Sequence, residues 1–127
     1  SSYLYGRHRI KPLRRGDYSM LVTEEKVEGI LNYLSQSDDD YGKLSARVKG
    51  LEKDEKIIIA QGLLEHRRYE KTMAESEAKA RCSKEYKEWR EQYEDAVADF
   101  EIMKSHRGTA QILWETWRTE QANLRRS

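Results

Sequence analysis

Apolar side chains recur in a heptad pattern through the last third of the chain. From Tyr86 to Leu124, most positions spaced alternately three and four residues apart are apolar. Such spacing follows one face of a helix and requires another helix to cover it. The pattern therefore predicts one long helix with a partner helix along its seam. One series is Tyr86, Tyr93, Phe100, Arg107, Trp114 and Gln121, and the other is Trp89, Ala96, Met103, Ala110, Trp117 and Leu124.

Two apolar patterns precede this seam and predict two further helices. Thr23 is a good N-cap, and Val27, Ile30, Leu31 and Leu34 then form the stripe of a short helix that ends near Ser37. Three consecutive aspartates, residues 38–40, predict a turn and a new N-cap. The second helix is expected over residues 39–69, with an apolar face formed by Leu44, Val48, Leu51, Ile58 and Gly62.

The connection to the long helix carries its own capping signals. Thr72 and Glu75 match a capping box, so a short helix is expected to start there and end near Cys82. Ser83 is positioned to cap the long helix. The predicted fold is all-α, an elongated antiparallel coiled-coil-like helical hairpin with an additional short N-terminal helix.

Composition changes this picture little. The 127 residues suffice for one domain, and charged residues make up 37% of them, which suits long solvated helices. No run of 18 apolar residues occurs, so no membrane span is expected. The one cysteine, Cys82, excludes an intramolecular disulfide and fits a reducing compartment. We expect a cytoplasmic protein.

Charge divides the chain into a basic arm and a mildly acidic body. Residues 1–19 are expected to be a flexible arm, and residues 20–127 a single helical domain. The arm carries +5 within its first sixteen residues, while the remainder carries −4. Met20 is followed at once by a helix start, so a non-native origin of the arm is the alternative. Its basic residues are Arg7, Arg9, Lys11, Arg14 and Arg15.

The sequence contains no motif that predicts catalysis, a metal or a cofactor. The acidic residues near the start of the long helix alternate with Lys84, Lys87 and Arg90, which is typical of a solvated helix face. His66 and His106 have no cysteine or second histidine at metal-ligand spacing, and Cys82 has no recognisable base beside it. We therefore expect a protein that is not an enzyme.

Arg107 interrupts the apolar seam between Phe100 and Trp114. A polar residue in such a seam sets the register of two helices when it pairs with an acid or stacks on an aromatic ring. The alternative is a kink or a ligand-binding point, since Gly108 follows directly and weakens the helix.

Two segments resemble a group of small all-helical proteins of tailed bacteriophages and prophages. They are MLVTEEKVEGILNYLSQSDDDYGKLSARVKGLEKDEK, from Met20, and AVADFEIMKSHRGTAQILWETWRTEQANLRR, from Ala96. The resemblance covers most of residues 20–126 and contains no catalytic signature. It implies a phage accessory protein in the host cytoplasm, beside the replication or recombination machinery.

These observations predict a non-enzymatic interaction protein, expected to form a homodimer and to bind a protein of DNA metabolism. The expected self-association or docking seam is Trp114, Trp117 and Leu124, with Arg118, Arg125 and Arg126 as its rim. One alternative is nucleic-acid binding by the arm and these C-terminal arginines, with Tyr3 and Tyr5 stacking on bases. Another is inhibition of a host enzyme by an acidic helix face that imitates nucleic acid.

Overall fold

The computed structural model describes residues 22–126, which form three α-helices and, within that range, no strands. Helix α1 spans Glu24–His66, α2 spans Met73–Arg81 and α3 spans Lys84–Arg126. The two long helices have 43 residues each, which corresponds to about 64 Å at about 1.5 Å per residue. The all-α prediction is confirmed, and the heptad segment is indeed one uninterrupted helix.

Helix α1 runs through the three aspartates, so the predicted turn at residues 38–40 is wrong. The two apolar patterns share one heptad phase, because Ile30, Ser37, Leu44, Leu51 and Ile58 are each seven residues apart. Ser37 takes the buried position that links them. No separate N-terminal helix exists among the described residues, and the short helix is α2, between the long ones. The predicted end at Tyr69 also moves, to His66.

Side-chain caps determine where the helices begin, as the sequence predicts. The Thr23 hydroxyl accepts a hydrogen bond from the Lys26 amide at 3.3 Å, and the Thr72 hydroxyl accepts one from the Glu75 amide at 3.1 Å. The Ser83 hydroxyl accepts from the Tyr86 amide at 3.1 Å and donates to the Ala80 carbonyl at 2.6 Å. These bonds satisfy amides that have no partner within their own helix.

Helices α1 and α3 lie antiparallel along the predicted seam. The indole of Trp89 donates to the Leu51 carbonyl at 2.7 Å, and the rings of Phe100 and Tyr41 stack with centroids 5.2 Å apart. Contacts thus move towards the start of α1 as they move towards the end of α3. Every seam position from Tyr86 to Gln121 is buried or half-buried, while Leu124 is 57% exposed.

Helix α2 packs closely on the last turns of α1. Ser76 and Ala80 of α2 are fully buried or nearly so. A Cβ atom added at Gly62 would lie 2.5 Å from the Cβ of Ala80, closer than two non-bonded carbon atoms approach in proteins. The glycine therefore permits the contact between the two helices.

Candidate interaction surface at the open end

The first turns of α1 and the last turns of α3 form one end of the helix pair, which we call the open end. Glu24 lies ten residues before Leu34, and the residue ten positions after Arg107 is Trp117. Because Arg107 contacts Leu34 across the pair, Glu24 and Trp117 lie at about the same level. Residues 118–126 of α3 therefore continue beyond the start of α1.

One groove, the Leu31 groove, runs between the helices at the open end. Its apolar lining comprises Leu31, Leu34, Ile112 and Trp114, and its charged lining residues in the described range are Glu115 and Glu120. Leu31 is 41% exposed and Ile112 is 67% exposed. An apolar surface is therefore open to water along this side of the pair.

The opposite side of the helix pair carries a second groove, the Ile30 groove. Val22, Ile30, Ala110 and Leu113 provide its apolar lining, while Lys26, Tyr33 and His106 add polar groups. Leu113 is 38% exposed. Apolar side chains thus flank the seam on both sides of the open end.

The two tryptophans of the predicted association seam lie inside the open end. The Trp114 and Trp117 rings stack with centroids 5.5 Å apart, and both side chains are half-buried. The Trp117 indole N–H is buried and has no hydrogen-bond partner among the described residues. Trp114 lines the Leu31 groove, whereas Leu124 lies beyond it on the last turns of α3.

Arg107 makes the contacts that the register-setting interpretation predicts, with an acid and an aromatic ring on the facing helix. Its guanidinium donates to the Leu34 carbonyl at 2.9 Å and to the Ser37 hydroxyl at 2.6 Å, and it forms an ion pair with Asp38. It also lies 5.0 Å from the centre of the Tyr41 ring, a cation–π distance. The side chain is only 15% exposed, so these partners replace the water it loses.

The arginines of the predicted rim lie on α3 and are exposed. Arg118 pairs with Glu115 at 3.5 Å and lies 6.0 Å from the centre of the Trp114 ring. Arg125 and Arg126 occupy the last turn of the helix. The five basic residues of the predicted arm, Arg7, Arg9, Lys11, Arg14 and Arg15, fall outside the described residues.

Polar contacts elsewhere raise three pKa values. A hydrogen bond to Glu52, at 3.0 Å, raises the pKa of the Tyr93 hydroxyl above its ordinary value of 10.0. Bonds to Glu70 and Glu77 likewise raise the pKa values of Lys79 and Arg81. The Tyr93 bond links α3 to α1, so it reports on the contact between the long helices.

Groups suited to other chemistry are sparse in the described chain. No three of its histidine, cysteine and acidic side chains are grouped so that they could hold a metal ion. Exposed Cys82 shares a shallow groove with His66 and Lys79, a proximity that residue spacing did not reveal. None of the three helices is long and apolar enough to cross a membrane.

Sequence reasoning did not identify the grooves. The predicted stripe of the first helix contains Leu31 and implies that another helix covers it, whereas Ile112 and Leu113 belong to no predicted seam. A signal was present, because Ile112 and Leu113 lie outside the heptad series of α3. No family model, curated protein or solved structure matches this chain.

Proposed function

We propose that this chain is a non-enzymatic helical interaction protein. It acts as an antiparallel coiled-coil-like hairpin that binds protein partners through the grooves of its open end. The observation that carries this proposal is the exposure of Leu31, Ile112 and Leu113 on both sides of a two-helix pair.

The energy available from these side chains supports docking. Burying a Leu or Ile side chain fully is worth about 1.5–3 kcal/mol relative to leaving it in water. Each groove brings such side chains together, and the Leu31 groove adds the half-buried Trp114. Aromatic anchors are frequent in binding hot spots. The grooves thus offer a compact apolar target for a partner helix.

The resemblance to phage and prophage proteins supports the setting of this function. From that resemblance we propose that the protein acts in the host cytoplasm, beside the replication or recombination machinery. We propose that the protein partner belongs to DNA metabolism. The partner's chemistry is the apolar face of a helix, because that is what the grooves accept.

Nucleic-acid binding is the second candidate, and one observation favours it. Arg125 and Arg126 are exposed in the last turn of α3, and Arg118 is exposed about two turns before them. Together with the basic arm they supply cations for phosphate contacts. The neutral balance of the whole chain, +1, argues against strong non-specific binding.

The first experiment compares two matched variants in affinity capture from host extract with quantitative mass spectrometry. Leu113→Glu places a charge in the Ile30 groove, while Leu64→Glu changes a leucine that is 77% exposed at the other end of the molecule. We expect Leu113→Glu to lose partners that the wild type and Leu64→Glu retain. Equal recovery by all three proteins would contradict the proposed function.

A salt titration separates the second candidate from the first. Each phosphate contact on duplex DNA lowers log affinity by about 0.9 per tenfold increase in salt. Labelled single- and double-stranded DNA would be titrated with the full chain at low and physiological salt. Tight binding that falls steeply with salt would favour the nucleic-acid function over protein docking.

A further inference from the structure

We propose that the Leu31 groove binds a basic amphipathic helix of a partner protein. Lysine or arginine side chains of that helix would flank its apolar stripe and face the acids of the groove. This inference rests on the proposed interaction function and names the chemistry of the partner for one of its two grooves. It depends on the shape of the groove and on the sign of the charges that line it.

The length and the walls of the groove suit a helix. On α3 its lining residues run from Gly108 to Glu120, which corresponds to about 18 Å, or roughly three turns of a docked helix. Both walls are helices, whose backbone groups bond within the helix. An extended peptide that binds by adding a strand therefore finds no sheet edge here, whereas an amphipathic helix needs only an apolar groove.

Apolar side chains and one glycine make the contact surface for such a helix. Leu31 is 41% exposed and Ile112 is 67% exposed, so both have apolar surface left to bury. Trp114 adds a half-buried aromatic ring. Gly108 also lines the groove, and a Cβ atom added there would have nothing within 4 Å. The missing side chain lets an occupant approach the backbone of α3 closely.

The charged residues that line the groove are both acids. They are Glu115 and Glu120, and α1 adds only Leu31 and Leu34 to the lining. The Glu115 side chain is 65% exposed, and its pair with Arg118 at 3.5 Å is a weak surface pair that a partner's base can replace. The arginines of the predicted rim lie outside the lining. A basic side chain of the occupant therefore meets opposite charge, whereas an acidic one is repelled.

The Ile30 groove differs in this respect, so the preference for a basic helix belongs to one side of the open end. Lys26 supplies charge to the Ile30 groove, and no acid occurs among its described lining residues. The charge of the chain beyond the basic arm acts in the same direction as the acids of the Leu31 groove. Residues 17–127 contain 19 basic and 23 acidic side chains, a net charge of −4, which favours the approach of a cationic partner.

Two synthetic helical peptides test this inference on the full chain. Both carry the same leucine stripe at i, i+3, i+4 and i+7, and the positions that flank the stripe are lysines in one peptide and glutamates in the other. Fluorescence anisotropy of the labelled peptides gives their dissociation constants. We expect the wild type to bind the lysine peptide about tenfold more tightly, which is the order of effect that two exposed ion pairs supply.

Charge reversal locates that preference in the groove. Glu115→Lys with Glu120→Lys should make the chain prefer the glutamate peptide. As the matched control, Glu91→Lys with Glu101→Lys changes the net charge equally, at exposed acids of α3 that do not line the groove. The control should keep the wild-type preference, because the charges inside the groove are unchanged.

A second pair of variants tests the apolar contact. Ile112→Gln removes apolar surface from the groove at a side chain that is 67% exposed, so it should weaken both peptides without unfolding the chain. Leu64→Gln alters a side chain that is 77% exposed at the other end of the molecule and should leave both affinities unchanged. Circular dichroism checks that every variant is helical.

Four results would overturn this inference. The wild type could bind neither peptide, it could fail to prefer the lysine peptide, or its preference could survive charge reversal at Glu115 and Glu120. Sedimentation equilibrium provides the fourth, since a wild-type dimer that Ile112→Gln dissociates would assign the groove to a second copy of the chain. Loss of captured partners through Leu113→Glu would still leave the proposed function standing in each case. Selective binding of the lysine peptide, with equal capture by all proteins, would instead support this inference and contradict the proposed function.

Discussion

At the scale of single residues, Arg107 is the best-connected side chain of the seam. It bonds two groups of α1, pairs with Asp38 and stacks on Tyr41. A shift of α3 by one heptad in either direction would move it from Ser37 to Leu44 or to Ile30. Neither side chain can accept a hydrogen bond, so the cluster specifies one register.

Arg107→Ala should lower the free energy of unfolding by about 2–4 kcal/mol, because several charge-assisted hydrogen bonds are lost together. Ser37 would keep only a long contact to the Leu34 carbonyl, at 3.5 Å. Denaturant unfolding followed by circular dichroism measures the change. As the matched control, Arg90→Ala removes an exposed pair with Glu94 and should cost about 0.5 kcal/mol or less. Equal losses in the two variants would contradict the register-setting role.

The position of Arg107 was predictable from the sequence, but its partners were only partly so. A polar residue in a heptad seam predicts an acid or an aromatic ring on the facing helix, and both are present. The identity of the acid and of the ring depends on the register between the two helices. The pattern of one helix alone does not determine that register. Ser37 was missed because a serine followed by aspartates favours a turn in local terms.

At the scale of elements, the aspartate run shows how tertiary packing outweighs local propensity. Asp and Asn are weak helix formers, which is why residues 38–40 suggested a turn. The observed helix keeps Asp39 and Asp40 exposed and lets Asp38 reach Arg107. The heptad phase shared by Ile30, Ser37 and Leu44 already indicated continuity. The heptad phase on the two sides of residues 38–40 is therefore a better predictor of the structure here than the local helix propensity of the aspartates.

The contact between α1 and α2 depends on one glycine and gives a second prediction. Gly62→Ala would place a methyl group 2.5 Å from the Ala80 side chain, so overpacking should destabilise the protein by about 1–3 kcal/mol. Amide hydrogen exchange should show the loss chiefly in α2, whose nine residues depend on this contact. Denaturant unfolding gives the total effect.

Other glycines of the two long helices provide the controls for Gly62. Gly50 and Gly108 have nothing within 4 Å of an added Cβ atom. Replacing either with alanine should stabilise the protein by about 1 kcal/mol, through helix propensity alone. Ala80→Gly combined with Gly62→Ala should restore much of the lost stability. If Gly62→Ala stabilised the protein as Gly50→Ala does, the close contact would be wrong.

At the scale of the whole molecule, the helical content and the seam followed from the sequence, while the open surfaces did not. Heptad spacing predicts that another helix covers the seam, but it does not predict how many helices surround it. In the structure the cover is a single helix, which leaves Leu31 and Ile112 exposed beside it. Exposure depends on the number of helices around a seam, and that number is a tertiary property.

Three raised pKa values affect how the stability of the whole molecule depends on pH, and all three have the same sign. Lys79, Arg81 and Tyr93 have raised pKa values in the folded chain, each through a bond to a glutamate. A raised folded-state pKa means that the protonated group is the one the fold stabilises. Each contribution is therefore complete below the unfolded-state pKa and is lost as pH rises through the folded-state pKa.

For Tyr93 this sign predicts a loss of stability that begins near pH 10 and grows above it. The neutral hydroxyl donates to Glu52, whereas the tyrosinate repels that carboxylate across the contact between α3 and α1. Melting temperatures of the wild type should therefore fall more steeply above pH 10 than those of Tyr93→Phe. Tyr69→Phe is the control, because Tyr69 is 80% exposed, and it should follow the wild-type profile. If melting temperature fell equally steeply with pH in the wild type and in Tyr93→Phe, the hydrogen bond from Tyr93 to Glu52 would be contradicted. The steeper fall is expected only where ionisation of Tyr93 breaks that bond.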